Sequence, residues 1–145
     1  MRRSGQILVV FGLAGALLAA GSGPAAADEA VGGNYEVAFT SVANNCSSVG
    51  MNLGSSTIAV DSAKPRRISI TIPSVPIMSG TVSRVGKFRA SVKRGKTAIE
   101  GVQGRFSVAG KFEKGQIQFL FVAEYFRAEK PLCTQSWNAT GPRKN

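Results

Sequence analysis

Residues 102–127, VQGRFSVAGKFEKGQIQFLFVAEYFR, decide the fold class of this 145-residue chain. Apolar and polar side chains alternate on both sides of residues 113–115 (EKG), a segment with the composition of a tight turn. Two-residue alternation is typical of a β-strand with one buried face, so the stretch predicts an antiparallel hairpin. In the second strand, residues 119–123 (FLFVA) are apolar throughout, which predicts a cover on each face of that strand.

The same alternation extends over most of the chain. Residues 67–72 (RISITI) and 87–92 (KFRASV) each place three apolar side chains on one face, and residues 49–53 and 97–101 are further predicted strands. Short strands, separated by turn residues about every 8–14 positions, predict an all-β, single-domain antiparallel barrel of about eight strands. A β-sandwich is the alternative architecture.

The first 27 residues have the features of a secretory signal peptide. Arg2 and Arg3 give a positively charged start, residues 7–20 (ILVVFGLAGALLAA) are apolar, and residues 25–27 (AAA) suit a signal peptidase. A helix of the apolar run would span roughly 21 Å, which is shorter than a hydrocarbon core of about 30 Å. We therefore expect cleavage rather than a retained membrane anchor.

Cleavage after about Ala27 would divide the chain into three segments. These are a signal peptide at 1–27, a flexible N-terminus at 28–33 and an antiparallel β domain at 34–145. Loss of the two leader arginines would leave 16 basic and 8 acidic residues, a net charge of about +8. The mature protein would be secreted or periplasmic, without a transmembrane segment.

The chain has two cysteines, Cys46 and Cys133, and both lie in the predicted mature part. An even pair in a small exported domain predicts a disulfide. The bridge would close a loop of about 88 residues, for which chain entropy gives a stabilisation of roughly 4–5 kcal/mol. A metal pair or a redox pair is disfavoured because the chain has no histidine and no C-x-x-C spacing.

Two short segments carry a resemblance to a known class of proteins. Gly33-Asn34-Tyr35, at the start of the first predicted strand, resembles the G-x-W start of lipocalin-like and avidin-like (calycin) barrels, with tyrosine in place of tryptophan. Arg143 resembles the lipocalin arginine that packs across the closed end of the barrel. The match covers a handful of residues and lacks the family's T-D-Y motif. The resemblance implies an up-and-down barrel in an exported protein and specifies no ligand.

The sequence offers no group of residues for catalysis. Without histidine, neither a Ser-His nor a Cys-His pair can form. Paired carboxylates, as glycosidases need, are not indicated either, because the acidic residues beyond the terminus are scattered singly. No segment has the clustered oxygen ligands of a calcium loop or the glycine pattern of a phosphate-binding loop. We therefore expect a protein that is not an enzyme and that needs neither metal nor cofactor.

The basic residues are the strongest functional feature of the sequence. They cluster at two predicted turns, one formed by the entry into residues 67–72 and the other by a hairpin tip at residues 93–96. The six residues are Lys64, Arg66, Arg67, Lys93, Arg94 and Lys96. Charges at turns also serve solubility and protect sheet edges, which is the simpler interpretation. A net charge near +8 exceeds what solubility requires, and this favours an anionic partner.

The sequence thus predicts an exported, non-catalytic binding protein whose basic turns contact an anionic envelope polymer, a lipid surface or an acidic protein. Nucleic acid is not expected, because most phenylalanines occupy alternating core positions and are not free to stack on bases. The alternatives are a carrier of small hydrophobic ligands and a secreted protein inhibitor. Asn45 and Asn138 match the N-glycosylation pattern, whose use depends on the host.

Overall fold

The computed structural model describes residues 31–144, so the predicted signal peptide lies outside the described residues. Eight strands follow one another without a helix between them. They are β1 (Gly33–Asn44), β2 (Ser55–Asp61), β3 (Arg67–Thr71), β4 (Met78–Val82), β5 (Lys87–Lys96), β6 (Val102–Glu113), β7 (Gln116–Arg127) and β8 (Lys130–Pro142). Each strand pairs with its neighbours in sequence, and β8 pairs with β1, so the sheet closes into a barrel. The predicted all-β antiparallel barrel is confirmed, and the sandwich is excluded.

The hairpin of β6 and β7 forms as the sequence predicts. Its register runs without interruption from Val102 opposite Arg127 to Glu113 opposite Gln116. Lys114 and Gly115 make the turn with φ angles of 52° and 75°. Positive φ at both central residues is the requirement of a type I′ turn, whose twist matches that of the two strands.

Interior positions of the barrel are filled by apolar side chains, many of them aromatic. Phe121 lies at the centre, with its ring centroid 5.4 Å from that of Trp137, 6.2 Å from Phe106 and 6.4 Å from Phe39. These rings come from four different strands, so their packing joins β1, β6, β7 and β8. Offset and edge-to-face ring pairs of this kind add to the free energy gained from burial.

The outer face of β7 corrects one prediction. The sequence predicts a cover on both faces of residues 119–123, but Leu120 is 40% exposed and points outward between the buried Phe119 and Phe121. The strand is therefore an ordinary alternating strand with an apolar residue on its outer face. Nothing within residues 31–144 covers this residue fully.

Several strands also differ from the predicted ones: β5 is longer, the predicted strands at 49–53 and 97–101 do not form, and β4 is additional. Residues 93–96 do not form a hairpin tip, because β5 continues to Lys96 and the turn falls at residues 97–101. A register shift between Val92 and Gly95 allows this extension. Residues 49–53 lie in a loop, and Met78–Val82 forms a strand that the sequence pattern did not indicate. Position 80 is a glycine, which interrupts the apolar pattern of this strand. A Cβ atom at that position would lie 1.8 Å from the Arg89 carbonyl oxygen, so a larger residue would clash there.

The two ends of the barrel are closed in different ways. At the end where β1 begins and β8 ends, here called the terminal end, the Tyr35 hydroxyl donates to the Val31 carbonyl oxygen over 2.7 Å. The Arg143 guanidinium lies 5.7 Å from the centre of the Tyr35 ring, and Tyr35 and Arg143 form a backbone bridge. Val31 is buried and Gly33 already belongs to β1, so the ordered domain includes the last residues of the segment 28–33.

At the other end, here called the disulfide end, a loop of residues 45–54 is fixed to β8. The predicted bridge between Cys46 and Cys133 is present, with Cα atoms 5.1 Å apart and a sequence separation of 87 residues. The buried Gln135 side chain accepts from the Met51 amide over 2.8 Å and donates to the Met51 carbonyl over 3.2 Å. These contacts hold the half-buried loop residues Val49, Met51 and Leu53 against the core.

Candidate anion-binding surface

The outer face of β3, β4 and β5 has an unusual composition. Alternation directs Ile68, Ile70, Phe88 and Ala90 inward, and leaves only hydroxyl and basic side chains to point outward. We call this surface the basic face. Its residues are Arg67, Ser69 and Thr71 from β3, Ser79 and Thr81 from β4, and Lys87, Arg89, Ser91 and Lys93 from β5.

The strand register brings two arginines of the basic face into one row. Arg67 lies opposite Thr81, and Thr81 lies opposite Arg89. Neighbouring strands are about 4.8 Å apart, so the backbones of the two arginines are separated by about 10 Å with Thr81 between them. Lys87 is two residues before Arg89 on the same face, about 7 Å along β5. An open groove on the barrel wall is lined by these four side chains together with Arg66.

The turn between β2 and β3 places Arg66 at the edge of this groove. The Lys64 carbonyl oxygen accepts from the Arg67 amide over 3.1 Å, and Arg66 adopts a left-handed conformation with φ of 58°. The Arg66 carbonyl oxygen accepts from the Val82 amide over 3.0 Å, which ties the turn to the end of β4. Both Lys64 and Arg66 are exposed, and the turn places them at the terminal end of the basic face.

The bases of this face have no acidic partner within residues 31–144. The ion pairs of the described chain lie elsewhere: Arg105 with Glu124, Lys111 with Glu113 at 3.0 Å, and Lys144 with Glu36 at 3.4 Å. Lys87 lies directly opposite Lys111 across β5 and β6, where two like charges repel. An array of bases without carboxylates creates a positive potential above the face, which attracts anions.

Asp61 is the acidic residue closest to the basic face in register, since it lies opposite Ser69 across β2 and β3. Its carboxylate accepts from the Ala63 amide over 3.0 Å, a contact that stabilises the start of the turn before β3. Asp61 also lines an open groove with Lys64 and Arg67, so a single carboxylate stands at the β2 border of the face.

The structure divides the six predicted basic residues between the two ends of the barrel. Lys64, Arg66 and Arg67 lie together at the terminal end. Lys93 is on the same outer face but about 20 Å from Lys87 along β5. Arg94 is engaged elsewhere, because its guanidinium lies 4.5 Å from the ring centre of Phe126, and Lys96 ends β5 near the disulfide end.

Sequence reasoning missed Lys87 and Arg89, the two residues that complete the face. Their alternation with Phe88 and Ala90 indicates outward side chains, so the local signal was present. Their proximity to Arg67 depends on β4, which lies between β3 and β5 and was not predicted. Without β4, the register that places Arg89 in the same row as Arg67 cannot be derived from the sequence.

The groups with altered pKa values do not gather at a single site. Burial raises the pKa of Tyr35 and that of Tyr125, and a hydrogen bond from Lys111 lowers the pKa of the exposed Glu113 carboxyl. Tyr35 and Tyr125 are interior positions of β1 and β7, far from each other. Among residues 31–144, no group of three or more His, Cys, Asp or Glu side chains could hold a metal ion. The basic face is thus the candidate site that the geometry supports.

No family model, curated protein or solved structure matches the chain significantly. Within the described residues, no helix is long and apolar enough to cross a membrane. The disulfide is typical of proteins that fold in an oxidising compartment, which fits a secreted or periplasmic protein.

Proposed function

We propose that this protein is an exported, non-catalytic binding protein whose basic face holds an anionic polymer of the cell envelope or its surroundings. The observation that carries the proposal is the composition of the outer face of β3–β5, where every outward side chain is a base or a hydroxyl. Bases donate to anionic oxygens, and hydroxyls supply further hydrogen bonds without adding repulsion.

Electrostatic binding of this kind fits the position of the bases on exposed strands. Arg67, Lys87 and Arg89 are exposed to solvent, so their charges are not used to stabilise the core. Each of these three charges contributes little to the free energy of folding, because exposed charges in water interact weakly. Their concentration on one face is more readily explained by a partner than by stability.

The proposal is tested with the mature chain, residues 28–145, and an anionic polymer such as heparin. We expect the dissociation constant to rise steeply as the salt concentration increases from about 0.05 to 0.5 M, because salt screens the attraction. The double variant Arg67→Gln/Arg89→Gln should bind at least about tenfold more weakly than the original protein.

The matched control is Arg127→Gln/Lys130→Gln, which removes the same charge from the exposed turn at the disulfide end. It should weaken binding far less than the variant of the basic face. Equal losses in the two variants would show that only net charge matters, and binding that does not respond to salt would refute the electrostatic mechanism.

We also infer that the barrel resembles calycins in its construction. The support is the ring of eight up-and-down strands and the packing of Arg143 over Tyr35 at the terminal end. A carrier of small hydrophobic ligands, the function that this likeness suggests, is less favoured. The rings of Phe39, Phe119 and Phe121 already occupy the interior of a barrel that has room for side chains or one small ligand. Solvent extraction of the purified protein tests this alternative, which would require a bound lipid.

A further inference from the structure

We propose that the basic face recognises tetrahedral oxyanions, the phosphate or sulfate groups of a linear polymer, and that the row Arg67–Thr81–Arg89 is where one such group binds. This inference rests on the proposed function and narrows the chemistry of its ligand. It follows from the order of side chains across β3, β4 and β5, where two guanidinium groups flank one hydroxyl.

The geometry of the row allows both arginines to meet over Thr81. Their backbones lie about 10 Å apart, and an extended arginine side chain reaches about 6 Å from its Cα atom. Both side chains are exposed, and neither has an ion-pair partner within residues 31–144. The guanidinium groups can therefore converge on one anion above the β4 strand.

The number of hydrogen-bond donors in the row favours a tetrahedral anion over a carboxylate. A carboxylate has two oxygens in one plane, and a single arginine can satisfy both in a bidentate contact. That contact uses two of the roughly four lone-pair sites of the carboxylate, and the two that remain lie in the same plane, too few for a second guanidinium fork and a hydroxyl together. A phosphate or sulfate group presents its oxygens in three dimensions, so it can accept from Arg67, Arg89 and Thr81 together.

The distribution of the other bases favours a linear polymer. Lys87, Arg89 and Lys93 follow one another along the outer side of β5, about 7 Å and then about 13 Å apart. This line of charge is about 20 Å long and could contact several successive anions of a chain. The centre of the face contains hydroxyls and bases. The exposed apolar side chains beside it, Ile77 and Val85, lie in separate turns at opposite ends of β4, so they form no continuous apolar surface that could enter a bilayer, and this favours a polymer over a lipid surface.

The experiment compares polymers of equal charge on the same protein. Inorganic polyphosphate and dextran sulfate carry tetrahedral oxyanions, whereas polyglutamate carries carboxylates. We expect polyphosphate or dextran sulfate to bind at least about tenfold more tightly than polyglutamate at the same salt concentration, as measured by titration calorimetry. The ratio of the dissociation constants for polyphosphate and dextran sulfate shows whether phosphate or sulfate is the preferred group.

Two variants connect this preference to the row. Arg67→Lys/Arg89→Lys keeps the charge but removes the planar forks, and it should bring oxyanion binding close to that of polyglutamate. Thr81→Val removes one hydroxyl with little change in shape, and it should weaken oxyanion binding about threefold. Arg127→Lys, outside the face, should change neither affinity. All these side chains are exposed, and circular dichroism verifies that each variant folds.

The outcomes separate this inference from the proposed function. Equal affinity for polyglutamate and the oxyanion polymers would overturn the inference and leave an anion-binding protein. Absence of binding to every polymer would overturn both. Binding to vesicles with phosphate headgroups but not to polyphosphate would overturn the linear polymer and identify a lipid surface instead.

Discussion

The two sides of the barrel share one interior but have different exteriors. One side is built from the long strands β6, β7, β8 and β1, with 12, 12, 13 and 12 residues, and the other contains the short strands β2, β3 and β4, with 7, 5 and 5 residues. The ion pairs within residues 31–144 belong to the long-strand side. The basic face, formed by β3, β4 and the adjoining β5, carries bases without acidic partners.

This difference separates the parts of the molecule that stabilise the fold from the part that is available for binding. The long-strand side holds the central aromatic rings, the disulfide and the Gln135 contact with Met51. The outer side chains of β3–β5 are exposed and contribute little to packing. Changes on the long-strand side should therefore lower stability, whereas changes on the basic face should alter binding.

The largest effect on stability is expected from loss of the disulfide. The variant Cys46→Ala/Cys133→Ala should lower the free energy of unfolding by about 4 kcal/mol, because the bridge joins two residues that are 87 positions apart in the sequence. Denaturant unfolding of the variant and the original protein measures the difference. A change below about 1 kcal/mol would mean that the remaining contacts of residues 45–54 suffice to hold this end closed.

A somewhat smaller loss is expected from Phe121→Ala. Phe121 has no exposed surface and stacks on Trp137, so the cavity should cost about 3–4 kcal/mol. The matched variant on the short-strand side is Ile70→Ala, at a position that is also fully buried. We expect it to cost about 2–3 kcal/mol, because a smaller side chain is removed. The reverse order, again from denaturant unfolding, would show that the short strands hold the more critical part of the core.

A moderate effect should appear at high pH. Burial raises the pKa of Tyr35 and of Tyr125 in the folded protein above the ordinary value of 10.0. The corresponding contribution to stability is fully present below about pH 10 and is lost as the pH rises through the folded-state values. Unfolding free energies measured from about pH 8 to 11 should decline at the upper end, and less so in Tyr125→Phe. An identical decline in Tyr125→Phe would show that the buried Tyr125 hydroxyl does not contribute to the loss of stability at high pH.

The smallest effects on stability are expected from the surface charges, and they provide the sharpest comparison of the two sides. Arg105→Gln removes the partner of Glu124 and should lower stability by less than about 1 kcal/mol without changing polymer binding. Arg89→Gln should leave stability within about 0.5 kcal/mol of the original and weaken polymer binding. Thermal unfolding and polymer titration of both variants test this. A binding loss in Arg105→Gln as large as in Arg89→Gln would remove the distinction between the two sides.

Much of the long-strand side could be predicted from the sequence. The β6–β7 hairpin has long alternating strands on either side of a two-residue turn, so local pattern and final structure agree. The short-strand side could not be predicted so well. β4 has only five residues and contains a glycine, and its strand conformation depends on hydrogen bonds from β3 and β5. The end of β5 was misplaced because its bulge lets a segment with turn-like composition continue the strand.

The sequence by itself determined the class of fold, the pairing of Cys46 with Cys133 and the excess of positive charge, because alternation, cysteine count and composition are local or additive properties. Only the tertiary structure decided which bases share a surface. Arg67 and Arg89 are far apart in the chain and come into one row through the register of β4 between them. That register is set by which side chains must face the core, and it cannot be read from any single segment.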